Sequence, residues 1–148
     1  MGIKLIVEGV EDEPVLDALR MVGVRHVQGY VVAPPMAGGA LAGWLQNYRP
    51  RQASKTPATL LGAYALHTNW IRSFEFMRSH EPMLTQMHCH NPYSLRDYFA
   101  GHGARHRAAR DAYQALETLL GADSSRGAIQ EAATNFLAKL VAELKTGG

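Results

Sequence analysis

Two short apolar segments with a helix-length segment between them constrain the fold of the first part of this chain most strongly. Residues 3–7 read Ile-Lys-Leu-Ile-Val, and residues 22–30 hold a turn followed by a second apolar stretch. Between them, Asp12 and Pro14 are typical of the start of a helix, and Gly23 is typical of its end. A strand, a helix and a second strand in this order favour a right-handed parallel βαβ unit, with strands covered on both faces.

The chain changes character after this unit. A second helix over 40–46 completes a βαβα segment at 1–47, and a polar, aperiodic stretch at 48–57 is typical of a linker. Residues 58–148 are predicted to be a helical bundle, because short connections join amphipathic helices. Helices are predicted over 57–78, 80–88, 104–120 and 126–144, with a further cap-then-proline signal at 91–92 and breaks at the glycines of 101–103.

Composition narrows the class of protein. The 148 residues carry a net charge of +2 and do not form a long basic run, so binding to nucleic acid is not expected. A single cysteine excludes an intrachain disulfide and fits a reducing compartment. Since no apolar run has the length of a membrane span and no signal-peptide core is present, we expect a cytoplasmic protein without membrane contact.

Two motifs stand at the predicted strand ends. Residues 7–11 read Val-Glu-Gly-Val-Glu, and residues 27–30 read Val-Gln-Gly-Tyr. Together with their spacing and the helix between them, these motifs resemble the last two strand-helix units of the EAL family, the cyclic di-GMP phosphodiesterases, over residues 3–44. The resemblance implies a fold class of α/β fragment from a TIM-like barrel, here followed by an all-α up-and-down bundle, mainly α overall.

The resemblance also implies roles for three residues. Glu8 would help to hold catalytic Mg²⁺ or Mn²⁺, and Glu11 and Gln28 would line the same site. The other metal carboxylates of the family are expected upstream of the first residue of this chain. A two-metal site needs both ions clamped together, and Mg²⁺ takes about six oxygen ligands. We therefore expect this chain alone to be catalytically incomplete and not to hold the ions, with cyclic di-GMP bound only by a full barrel.

Histidines mark the predicted bundle. In the first bundle helix, the apolar stripe of Tyr64, Trp70, Phe74 and Met77 includes His67, which is therefore predicted to face inward. The aromatic and methionine residues of this stripe are interpreted as core, because their spacing is that of any amphipathic helix.

A later stripe extends the histidine pattern. His102 and His106 are an i, i+4 pair on one face if the helix continues through Gly103, and would then join His67 at one interior. Three imidazoles with Cys89, or with one of the histidines at 88 and 90, would suit Zn²⁺. The alternative is that these histidines are structural, since a histidine on an apolar stripe is more often a core residue than a ligand.

A second resemblance concerns the bundle. Residues 66–70, Leu-His-Thr-Asn-Trp, and the His102–His106 pair look like parts of the chemoreceptor zinc-binding domains, which are helical bundles. The expected function is the C-terminal regulatory or sensory part of a bacterial cyclic di-GMP signalling protein. Its expected partners are the remainder of an EAL/GGDEF-type protein or a second copy of itself. Two alternatives stay open: a histidine-based, zinc-like metal-binding module, and a purely structural dimerisation bundle.

Overall fold

The structure, a computed structural model, describes residues 3–50, 54–80, 95–122 and 124–146, with side chains except those of 77–80. Its elements are β1 (Ile6–Val7), α1 (Glu13–Met21), β2 (His26–Val27), α2 (Gly38–Asn47), α3 (Leu60–His80), α4 (Leu95–His102), α5 (Arg107–Gly121) and α6 (Arg126–Thr146). The predicted class, mainly α with a helical bundle, is confirmed, whereas the barrel fragment stays a prediction. The helix predicted over 80–88 and the helix start at 91–92 lie outside the described residues.

Helix α1 begins and ends where its sequence predicts. The Asp12 carboxylate accepts a hydrogen bond of 2.9 Å from the backbone N–H of Val15, which satisfies one donor of the first turn. At the other end, Gly23 adopts a φ of 86°, a left-handed conformation that favours glycine. The N–H of Val24 then donates to the carbonyl of Leu19 at 3.0 Å, as in a Schellman motif.

Strands β1 and β2, which precede and follow this helix in the sequence, pair with each other in parallel. Ile6 lies opposite His26, and Val7 lies opposite Val27. Each strand has only two paired residues, fewer than the apolar segments predict. The right order of strand, helix and strand is therefore present, but the sheet is short.

The pattern predicts a first strand that is covered on both faces, but within the described chain this strand is largely open. Ile3 is 95% exposed, Leu5 63% and Ile6 58%. Helix α1 packs on α3, and the described sheet has only two strands, so little of the described chain lies over these side chains. The apolar side chains of residues 3–6 are left as an exposed surface, which we call the β1 face.

Helix α3 begins at Leu60 and not at Pro57, because a residue of α1 binds the backbone N–H groups just before Leu60. The buried Asp17 carboxylate accepts hydrogen bonds of 2.9 Å from the N–H groups of Ala58 and Thr59 and from the Thr59 hydroxyl. The hydrogen bonds to Asp17 hold Ala58 and Thr59 outside α3, which begins at the next residue, Leu60. Asp17 thus ties the first segment of the chain to the first helix of the bundle.

Helices α3 to α6 share one aromatic core. Its largest buried members are Trp70, Phe74, Leu95, Tyr98, Phe99, Tyr113, Leu116, Phe136 and Leu140. Phe136 lies at the centre, with its ring centroid 5.9 Å from Phe99 and 5.5 Å from Tyr113. On the last helix, Ala133, Phe136 and Leu140 are buried and form its inward face. Among the described helices, none combines the length and apolar character that a membrane crossing requires.

Candidate functional site

Glu8 and Gln28 lie side by side at the carboxyl ends of the two strands. They follow the paired residues Val7 and Val27, and the Gln28 N–H donates to the Val7 carbonyl at 2.8 Å. The ladder continues one step further, since the Val10 N–H donates to the Gln28 carbonyl at 3.1 Å. The Glu8 and Gln28 side chains are exposed. We call this pair the strand-end pair and take it as the candidate site, because ligands of parallel sheets bind outside the carboxyl ends of the strands.

The glycines of the two motifs explain how the strand ends approach each other. Gly9 has a φ of 70°, which turns the backbone directly after Glu8. A methyl group at Gly29 would overlap the backbone of Val10. Glycine at this second position is therefore a packing requirement of the turn.

The strand-end pair offers few metal ligands. Glu11 is also exposed and directly precedes the cap of α1, so the segment carries two carboxylates and one amide. Across the described residues, no group of three or more His, Cys, Asp or Glu side chains is placed to hold a metal ion. One carboxylate and one amide fall well short of the about six oxygens that Mg²⁺ takes.

His67 faces inward, as its place in the stripe predicts. Its residue is 0% exposed, and its Nε2 lies 3.0 Å from the carbonyl oxygen of Ala133. A carbonyl only accepts, so Nε2 carries the proton and donates it. Burial lowers the pKa of His67 to about 4, an effect that the hydrogen bond to Ala133 opposes in part. Its ring also packs against Phe136 with centroids 4.5 Å apart, so this histidine is built into the core.

His102 and His106 do not share a helix face, because the helix does not continue through Gly103. His102 ends α4, is exposed, and donates from Nδ1 to the Tyr98 carbonyl at 3.0 Å. His106 precedes α5 and donates from Nδ1 to Glu143 Oε2 at 2.7 Å. The expected convergence of these two histidines with His67 on one interior is therefore wrong for His102.

The Tyr98 ring lies beside both of these histidines. Its centroid is 4.6 Å from His102 and 6.2 Å from His106, with nearly parallel planes. Burial raises the pKa of Tyr98 to about 12, so this phenol stays neutral at ordinary pH. The cluster is a packed hydrogen-bonding arrangement around the turn between α4 and α5.

The remaining predicted zinc ligands cannot be placed. Cys89 and the histidines at 88 and 90 lie outside the described residues, as does the Met77 side chain. The zinc hypothesis therefore stays a prediction.

Two carboxylates with clear structural roles are absent from the sequence prediction. Glu143 of α6 accepts from the Ala109 N–H at 3.0 Å as well as from His106, and so caps α5, where the His106 side chain makes no cap bond. Asp17 could have been found from its position between Leu16 and Met21 on the inward side of α1, since a buried carboxylate needs donors. Glu143 gives no comparable signal, because it is only partly buried.

Compared with models of known protein families, with curated protein sequences and with solved structures, the chain matches none of them.

Proposed function

We propose that this chain is a regulatory, C-terminal part of a bacterial cyclic di-GMP signalling protein and is catalytically incomplete by itself. The observation that carries the proposal is the register of β1 and β2, which puts Glu8 beside Gln28 at the carboxyl ends of adjacent parallel strands. These are the residues for which the resemblance to the EAL family implies a place in the metal site.

Within this proposal, the strand-end pair binds a single cation only weakly, and it does not hold the two ions that catalysis needs. Hydrolysis of a phosphodiester through two metal ions requires ligands for both ions, so that the attacking and the leaving oxygen are stabilised together. Glu8 supplies one carboxylate and Gln28 one amide oxygen. Within this proposal, the missing ligands come from the rest of an EAL-type barrel.

The exposed β1 face supports the proposal that a partner binds next to the strand-end pair. Ile3 and Leu5, which precede β1, and Ile6 within it are exposed, and β1 pairs on one edge only within the described sheet. An open apolar strand favours pairing with further strands. In this proposal, the remainder of a barrel covers the β1 face and a second copy of the chain is the competing partner.

The contact between α1 and α3 gives the bundle a route to the strand-end pair. Helix α1 connects the two strands, and its Asp17 holds the backbone at Ala58 and Thr59 before α3. A shift of α3 caused by a ligand or partner of the bundle would therefore act on α1, and through it on the spacing of β1 and β2. This mechanical link supports a regulatory role for the bundle.

Paramagnetic Mn²⁺ tests the proposed role of Glu8. In NMR spectra of the whole chain, we expect Mn²⁺ to broaden the amide signals of Gly9 and Gly29 first, with a dissociation constant on the order of 1 mM or weaker, as expected for a site with few charged ligands. Glu8→Gln should remove this selective broadening, because the only carboxylate of the pair is lost.

The matched control is Glu131→Gln, which changes an exposed carboxylate on α6. It should leave the broadening at Gly9 and Gly29 unchanged. Broadening that is equal around all carboxylates of the chain, or that persists in Glu8→Gln, would show that the strand-end pair is not a cation site.

A further inference from the structure

An open cavity of about 700 Å³ lies between α1, β2 and the segment that follows α2. None of Glu8, Glu11 and Gln28 lines it, so it is separate from the strand-end pair. Pockets for small molecules typically have volumes of about 300–1,000 Å³. The cavity is therefore large enough for a small organic ligand.

Among the residues that the structure describes, the charged groups that line this cavity are all positive. They are Arg20 of α1, Arg25 before β2 and Arg49 after α2, and no acidic residue is among these described lining residues. In the described part of the chain, the side chains of Arg20 and Arg25 have neither a hydrogen bond nor an ion pair. Three guanidinium groups around one cavity favour an anionic occupant, since arginine binds carboxylate and phosphate with paired N–H donors.

Arg49 is held in place at the rim of the cavity. Its Nη1 donates to the carbonyl oxygens of Gln46 at 3.0 Å and Tyr48 at 3.1 Å. A guanidinium has five N–H donors, so these two bonds leave donors for a ligand. The position of the positive charge is thus fixed before a ligand arrives.

Apart from Ser54, the rest of the described lining is mainly apolar. Leu16, Val27 and Val31 contribute to the wall, and the ring of Tyr48 stands beside them. Tyr48 stacks on Trp44 with centroids 4.6 Å apart, which fixes its orientation. An occupant would therefore place an apolar or aromatic body against this wall and its charge among the arginines.

We propose that this cavity, called here the arginine cavity, binds a small organic anion: a carboxylate or phosphate ester attached to an apolar body. The three arginines bind the charged group, and the valine, leucine and tyrosine wall binds the body. This site is independent of the proposed role of Glu8 and Gln28, and it can be present whether or not that role is correct.

Calorimetric titration with three probes tests the ligand class. 2-Naphthoate has both a charge and an aromatic body, 2-naphthalenemethanol has the body alone, and inorganic phosphate has the charge alone. We expect 2-naphthoate to bind at least about tenfold more tightly than either other probe, since one charge-assisted hydrogen bond is worth about this factor. Added salt should weaken its binding, because the site is open to solvent.

Variants of the arginines test the location. The double substitution Arg20→Gln and Arg25→Gln should weaken 2-naphthoate binding by about tenfold or more. The matched control, Arg105→Gln with Arg107→Gln, removes the same charge from exposed positions outside the cavity and should leave binding unchanged. Circular dichroism verifies that both proteins fold.

Three results would overturn the proposal. The first is that 2-naphthoate binds no more tightly than 2-naphthalenemethanol. The second is that both double variants weaken 2-naphthoate binding equally. The third is that 2-naphthoate does not bind at concentrations up to about 10 mM, since such a low affinity is not that of a built site.

Discussion

Lowering the pH from 7 to 4 is expected to destabilise the fold by about 3 kcal/mol through His67 alone. The ordinary pKa of histidine is 6.5, and burial lowers that of His67 to about 4 in the folded chain. Between these two values, the unfolded chain binds a proton that the folded chain does not. The contribution to stability is therefore complete above pH 6.5 and is lost as the pH falls towards 4.

The measurement is the free energy of unfolding by urea at pH 7 and pH 4, compared with a His67→Gln variant. Glutamine can still donate to the Ala133 carbonyl but does not titrate, so the variant should lose about 3 kcal/mol less over this range. An NMR titration of the natural protein gives a second readout, in which the His67 ring signal should show little protonation at pH 5. Protonation near pH 6.5 would contradict the buried, neutral imidazole.

Replacing Asp17 by alanine is expected to lower the free energy of unfolding by about 3 kcal/mol. The carboxylate accepts three hydrogen bonds from Ala58 and Thr59, and no other acceptor is positioned for these donors in the described contacts. Hydrogen bonds to charged groups contribute about 1.5–3 kcal/mol each, although such losses do not add. Urea unfolding of Asp17→Ala, followed by far-UV circular dichroism, measures this loss.

Gly62 provides a sharper form of the same test. A methyl group at Gly62 would overlap the Asp17 carboxylate, so Gly62→Ala should destabilise the natural chain by about 2 kcal/mol. In an Asp17→Ala background only the Pro57 Cβ stays close, at 3.1 Å, and the same change should be close to neutral, since alanine is the better helix former and offsets this contact. This loss of the destabilising effect is specific to a direct contact between residues 17 and 62.

The matched control is Gly43→Ala in the middle of α2, where a methyl group meets nothing within 4 Å. It should stabilise by about 0.5–1 kcal/mol in both backgrounds. If Gly62→Ala has the same effect with and without Asp17, then α1 and α3 are not joined in the way described.

Local signals in the sequence predict the elements of this chain better than they predict its contacts. Asp12 and Gly23 mark both ends of α1, because each acts within a few residues of its own position. The inward position of His67 follows from the stripe in which it lies. Periodicity and capping residues are sufficient for such features.

The differences from the prediction arise where a distant residue decides the local backbone. Asp17 lies 41 residues from Ala58, and its hydrogen bonds move the start of α3 past Pro57. Glu143 caps α5 from 34 residues away. At Gly103, the sequence alone also left open whether the helix continues or breaks. The structure shows a break there, which separates His102 from His106.

The exposed β1 face is the main departure from a self-contained βαβ unit. An apolar strand predicts cover on both faces, and the described chain leaves Ile3, Leu5 and Ile6 largely open. Within the proposed function, this face and the strand-end pair require the same partner. A covered β1 face would bring further side chains to the carboxyl ends of the strands, where Glu8 and Gln28 lie.

Turnover of cyclic di-GMP by the purified chain, in the presence of Mg²⁺ or Mn²⁺, tests the central claim most directly. With Glu8 and Gln28 as the strand-end ligands, we expect hydrolysis no faster in the natural chain than in Glu8→Gln, because a two-metal mechanism lacks most of its ligands. Hydrolysis on the order of 1 s⁻¹ or faster, lost in Glu8→Gln, would show that the chain assembles a complete site and would contradict this account.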